Sequence, residues 1–116
     1  MDYRLRKRDR IRSRKEIILL LKSGKRIENK EFKIILRERE ENSRIGVSVK
    51  KNIVNSVKRN RIRRVLKEIF RKNREKLKKD YDLFIIVKKD ISSKTYHEIE
   101  SAFFALLAKG KALKEC

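Results

Sequence analysis

Residues 49–70, VKKNIVNSVKRNRIRRVLKEIF, constrain this chain more than any other stretch. Ile62, Val65, Leu66, Ile69 and Phe70 recur at helical spacing, so residues 55–73 read as a helix with one buried stripe. The other side presents Asn60, Arg61, Arg63, Arg64, Lys67 and Arg71, with Glu68 as the lone acid. A solvated helix face normally mixes charge signs. Here the cations repel one another at i,i+3 and i,i+4, and they crowd the first turns, where the helix dipole favours anions. A phosphate docked on this face relieves both penalties, through Arg forks and backbone N–H groups together. The segment therefore has to pack against a core on one side and meet a polyanion on the other.

The rest of the composition agrees. The 116 residues carry 36 Lys+Arg against 16 Asp+Glu, a net charge of +20 that repels itself unless a polyanion neutralises it. Nucleic acid is the commonest such partner; DNA or an anionic membrane surface is the competing reading. The length predicts one RNA-binding domain over residues 1–116, with residues 1–12 a basic arm that orders on RNA. RNA is preferred to DNA because no Cys/His finger, leucine heptad or helix-turn-helix spacing is present. A single Cys, Cys116, excludes an intrachain disulfide and suits a reducing compartment, so the expected location is cytoplasmic. No apolar run approaches the roughly 20 residues that span a bilayer, and no membrane association is expected.

Around the basic helix the pattern alternates between periods. Ser13 and Glu16 form a predicted capping box, followed by a short helix with Ile17, Leu20 and Leu21 on one face and Gly24 as its terminating glycine. Residues 31–38 alternate, with Phe32, Ile34 and Leu36 opposite Lys33, Ile35 and Arg37. Ile45, Val47 and Val49 make a second strand whose other face carries Gly46, Ser48 and Lys50, and the two strands are expected to pair as a hairpin. Residues 82–87 are nearly all apolar, as in a strand covered on both faces. Thr95 and Glu98 cap a last helix with Ile99, Phe103, Leu106 and Leu107 inside. The order helix, strands, helix, strand, helix predicts an α+β layered sandwich.

An autonomous enzyme finds little support. His97 is the only His, no second His or Cys lies at ligand spacing, and no glycine-rich loop cradles a phosphate. The acids are scattered, mostly with a cation within a few residues, and form no metal-binding pair. No catalytic residue and no metal ligand is assigned.

Val57-Lys58-Arg59-Asn60-Arg61-Ile62-Arg63-Arg64 closely resembles the Arg-Asn-Arg signature of the protein subunit of bacterial ribonuclease P. Gly24 after the first helix, Phe32 opening a strand, Arg44-Ile45-Gly46-Val47 before the signature and the apolar strand after it extend the resemblance over essentially the whole chain. The resemblance implies an αβββαβα two-layer, ribosomal-protein-like sandwich with a left-handed βαβ crossover, against the usual right-handed rule. It implies removal of the 5′ leader from precursor tRNA by a ribonucleoprotein endonuclease whose catalyst is the RNA. Mg2+ is then expected on the RNA, with no cofactor bound by the protein alone and no obligate protein partner.

By the same resemblance, Arg59, Asn60, Arg61, Arg63 and Arg64 face ribonuclease P RNA, with Lys58 and Lys67 beside them. The leader of precursor tRNA is expected against Ile17, Leu21 and Ile35, with Ser48, Lys50 and Lys51 nearby. The family often has aromatics where this chain has those three aliphatics, and often a glycine where it has Val54. Aromatic stacking contributes about 1–3 kcal/mol per base, which aliphatic contacts do not reproduce. The alternative reading is a non-enzymatic RNA-binding or ribosomal-type protein on a related sandwich. It differs in that such a protein binds structured RNA without activating a catalytic one.

Overall fold

The computed structural model describes residues 9–11 and 13–114. Among them the elements run α1 (Arg14–Ser23), β1 (Lys25–Glu28), β2 (Phe32–Glu38), β3 (Arg44–Val49), α2 (Ser56–Asn73), β4 (Tyr81–Val87) and α3 (Tyr96–Lys109), with a 3-10 turn at Arg74–Lys76. This is the αβββαβα order.

The strands lie in the order β1-β2-β4-β3. Strand β2 is antiparallel to both β1 and β4, and β3 is parallel to β4. The expected hairpin between β2 and β3 therefore does not form, because β4 sits between them. Physically, β4 is the most apolar strand and gains most from the centre, where both its edges are paired and both its faces covered. A parallel neighbour needs a long crossover, and α2 provides it between β3 and β4. Strand β1 was not visible as a separate element in the pattern. It is an edge strand whose only half-buried side chain is Ile27, so it carries no alternation signal.

Alternation along the strands divides the side chains between two faces. Phe32, Ile34, Leu36, Ile45, Val49, Leu83, Ile85 and Val87 are buried on one of them. There they meet Ile62, Leu66, Ile69 and Phe70 of α2 and Ile99, Phe103, Leu106 and Leu107 of α3. The stripes expected from helical spacing are those observed, with Val65 half-buried at the margin. Both bonds of the Thr95–Glu98 capping box form, at 3.0 and 3.1 Å.

The second face is only partly covered. Leu20 of α1 packs with Ile35, Phe84 and Ile11, flanked by half-buried Ile17, Leu21 and Ile86. Three cross-strand rows follow from the register on this face. They are Lys33–Ile86–Ser48, Ile35–Phe84–Gly46 and Arg37–Asp82–Arg44. The middle row lies beneath α1 and Ile11. A side chain at Gly46 would come within 2.8 Å of the Phe84 ring, so the row closes only around a glycine.

Two local expectations change at α1. Ser13 is the N-cap but makes no side-chain capping bond. Glu16 instead reaches Arg44 at 2.5 Å, a charged partner that outcompetes a backbone N–H. Gly24 ends the helix with extended backbone rather than the left-handed form. A Cβ there would lie 2.6 Å from Ile35 Cγ2, so close packing explains this glycine. Most of the predicted basic arm lies outside the described residues. Its described part, Asp9–Ile11, is anchored: the Ile11 N–H donates to the Ile45 carbonyl at 3.0 Å, and buried Asp9 pairs with Arg74 at 3.0 Å.

Candidate nucleic-acid interface

The signature helix starts where the sequence places it. Asn55 is the N-cap, and its side chain accepts from the Lys58 N–H at 2.9 Å. No acid stands in the first turn, so Lys58 and Arg59 face the positive end of the dipole uncompensated from within the helix. Arg10, Asn60, Arg63, Arg64, Lys67, Glu68 and Arg71 line an open concavity of about 480 Å³ along this helix. Glu68 is ion-paired to Arg71 and to Lys72, and the Arg71 guanidinium holds its carboxyl below the usual Glu value. The concavity keeps a surplus of cations after that pairing, the arrangement a phosphate backbone neutralises.

The signature cations do not all stand free. Arg59 folds back, its Nη1 donating to the carbonyls of Val54 at 3.0 Å and Lys51 at 3.3 Å, and so ties the loop between β3 and α2. Val54, at the position where glycine is common, is buried against the core and presents the carbonyl that Arg59 uses. Arg61 donates to the Ser92 carbonyl at 2.7 Å and links α2 to the β4–α3 loop. Arg63 approaches the Asn60 side chain at 3.4 Å. Arg64 and Lys58 are exposed, Arg64 in the concavity and Lys58 on the side of α2 that faces Asp90 of the β4–α3 loop.

A groove opens on the sheet's second face beside α1. Glu28, Lys33, Lys50, Ile86, Val87 and Lys88 enclose about 440 Å³. Glu28 is committed to Lys88 at 2.9 Å, and that ammonium holds its carboxyl below the usual Glu value. Ile17 and Leu21 are half-buried on α1, packed with Ile86 against the second cluster, and Ser48 is half-buried across from Ile86. Lys50 and Lys51 are exposed where β3 ends.

Ile35 stands apart from the other groove candidates. It is fully buried under Leu20, so it supports α1 instead of offering a surface to a ligand. Half-buried Ile86 and Lys33 line the groove, and neither is singled out by the sequence. Period-two alternation through β4 carried the signal for Ile86, because it separates Phe84 and Ile86 from Leu83, Ile85 and Val87. His97 is exposed and makes an edge contact with Tyr96 at 5.7 Å between ring centroids. Among the described residues, no group of three His, Cys, Asp or Glu could hold a metal ion.

Groove and helix share the loop after β3: Lys50 borders the groove, and Arg59 bonds that loop from α2 at the Lys51 and Val54 carbonyls. A basic helix on a half-covered sheet, joined by a basic loop, defines an RNA-binding α+β domain. The ribonuclease P family model matches residues 5–111. The chain is 39% identical over 106 residues to the ribonuclease P protein component of Syntrophus aciditrophicus, covering 90% of this chain and 89% of that one. It is 37% identical to that of Finegoldia magna, over 90% and 93% of the two chains. The solved ribonuclease P protein of Thermotoga maritima matches with a TM-score of 0.78 and 28% identity, over 86% of this chain and 96% of that one. The chain belongs to the ribonuclease P protein family, the protein components of the tRNA-processing ribonucleoprotein.

Proposed function

We propose that this chain serves ribonuclease P by holding the single-stranded 5′ leader of precursor tRNA in the α1 groove. In the same reading α2 is seated on the RNA subunit. The observation that carries this reading is the shared loop: Lys50 borders the groove, while Arg59 ties the same loop to the signature helix through the Lys51 and Val54 carbonyls. A strand crossing the Lys33–Ile86–Ser48 row has an apolar floor for bases, with Lys33 and Lys50 available to phosphates. Aliphatic Ile17, Leu21 and Ile86 give sequence-tolerant contact without aromatic stacking.

On this reading, hydrolysis belongs to Mg2+ held by the RNA, and the protein's part is to raise the local concentration and register of the substrate. Lys58, Arg59, Asn60, Arg61, Arg63, Arg64 and Lys67 contact the RNA subunit; Ile17, Leu21, Ser48, Lys50 and Lys51 contact the leader, with Ile35 beneath them. The protein binds no cofactor of its own, needs no other protein and works in the cytoplasm. No described helix is long and apolar enough to cross a membrane.

The test is binding of precursor tRNA and mature tRNA to the ribonuclease P RNA, with and without the chain. The chain is expected to tighten binding of the precursor selectively, and Lys33→Ala with Lys50→Ala is expected to remove that selectivity. Equal tightening of both tRNAs would place the leader elsewhere.

A further inference from the structure

A third basic surface lies at the end of the sheet remote from the shared loop. Ser23, Lys25, Leu36, Arg37, Glu38, Lys78, Tyr81, Gly110 and Lys111 enclose an open depression of about 370 Å³. Its cations come from four separate places: β1, β2, the segment before β4 and the turn after α3. Its one carboxylate, Glu38, is taken by Lys79 at 3.3 Å. Among the described residues, Arg37, Lys78 and Lys111 have no carboxylate within ion-pair distance, and Lys25 donates to the Gly110 carbonyl at 2.9 Å.

Helix ends do not account for this charge. Both α1 and α3 finish here, and each C-terminus carries about half a negative charge. Lys22 and Lys109 already stand in those last turns. Four further cations against about one unit of partial charge leave a large surplus. A second observation is independent of charge. Lys111 lies at φ 58°, in the left-handed region that suits glycine, although Gly110 beside it does not. That conformation closes α3, with the Lys111 N–H donating to the Ala108 carbonyl and the Ala112 N–H to the Leu107 carbonyl, and a lysine in place of the usual glycine costs local stability while it places an ammonium at the depression.

We propose that this pole is a separate contact for the sugar-phosphate backbone of the RNA subunit. The inference rests on the reading of α2 as the RNA-subunit face. RNA is the partner the charge fits, and the RNA subunit is favoured over the leader by continuity. Lys78 of the pole follows α2 directly through the Arg74–Lys76 turn, while Lys72 and Lys76 lie over the Tyr96 and Phe104 rings of α3. The groove, in contrast, opens at the other end, with Lys33 roughly 13 Å along β2 from Arg37 at the usual strand rise. A folded RNA following α2 along its length arrives at the pole.

The experiment compares the wild-type chain with the Arg37→Gln/Lys78→Gln/Lys111→Gly triple variant. It measures the salt dependence of binding to the ribonuclease P RNA and, separately, to a single-stranded leader oligonucleotide. Each lost phosphate contact lowers the log–log slope by about 0.7–0.9, so the triple variant is expected to lose about 2 units on the RNA subunit and none on the oligonucleotide. Its melting temperature should not fall, because glycine relieves the strained position. An unchanged slope on the RNA subunit, beside a reduced slope for Arg64→Ala, would overturn the pole and leave the α2 reading intact. Unchanged slopes for both variants would overturn the two together. A slope reduced only on the oligonucleotide would assign the pole to the leader, against the proposal.

Discussion

Arg44 of β3 grips Asp82 of β4 with two parallel bonds, Nε to Oδ1 at 2.8 Å and Nη2 to Oδ2 at 2.9 Å. The pair is mostly covered, and Asp82 with Glu16 holds the guanidinium pKa above its usual value. Because Nη2 also reaches Glu16, a single guanidinium fastens α1 to the sheet at the end opposite the open groove row. Helix α1 is thus held on the sheet by an ionic clasp at Arg44 and by Leu20 packing with Ile35.

Breaking the clasp at its covered member should cost more than breaking it at its exposed one. Asp82→Ala removes both Arg44 bonds and the one Arg39 donates at 3.3 Å, and is expected to lower unfolding free energy by about 1.5–3 kcal/mol. Glu16, whose side chain is 44% exposed, should matter less, with Glu16→Gln costing under about 1 kcal/mol. Urea denaturation of the two variants measures both; equal losses would mean that burial does not govern this network.

The signature cations should separate by what they touch within the protein. Arg59→Ala removes bonds to two loop carbonyls, so it is expected to lower stability as well as RNA affinity. Arg64→Ala is expected to change stability by no more than about 0.5 kcal/mol. It should still reduce the salt slope of RNA-subunit binding by about 0.7–0.9. Thermal melts beside binding titrations distinguish the two.

Gly46→Ala tests the packing of the middle row. The added methyl would meet the Phe84 ring at 2.8 Å and Ile11 at 3.4 Å, with the ring itself nearly buried. Overpacking of this kind costs about 1–3 kcal/mol. A variant as stable as the parent in chemical denaturation would show that Phe84 has room to move.

The pH dependence follows from four carboxyls held below their ordinary values. Each has a named partner: the Lys88 ammonium at Glu28, the Arg71 guanidinium at Glu68, the Ser92 hydroxyl at Asp90 and the Thr95 N–H at Glu98. With folded-state values depressed, the native state binds fewer protons than the unfolded chain, so stability rises with pH in this range. That stability is complete above the ordinary Glu value of 4.5 and is lost as the pH falls through the folded-state values. Urea midpoints followed downward from neutral pH should hold steady and then decline below that value. A midpoint that rises on acidification would contradict these assignments.

The helices were legible because their determinants are local. Ile62, Leu66, Ile69 and Phe70 repeat at helical spacing, and Thr95 with Glu98 caps within one turn. What stayed hidden depends on partners far along the chain. Nothing near residue 38 or 44 reveals that β4, some 40 positions on, enters between β2 and β3. Glu16 reads as a capping residue until Arg44 and Asp82 are brought beside it. In the same way, Arg59 and Arg61 read as free cations, whereas Val54, Lys51 and Ser92 offer them carbonyls only in the folded chain. Ile35 illustrates the remaining limit: alternation assigns it to the second face, but only the position of α1 shows that it is covered.

In the proposed function, this chain makes ribonuclease P RNA an effective processor of precursor tRNA without supplying catalytic groups. The direct test is cleavage of a precursor tRNA by that RNA at low Mg2+, with and without the chain. Cleavage at the mature 5′ end is expected only when both are present, with none by the chain alone. Cleavage by the protein without RNA, or no stimulation despite tight binding, would contradict it.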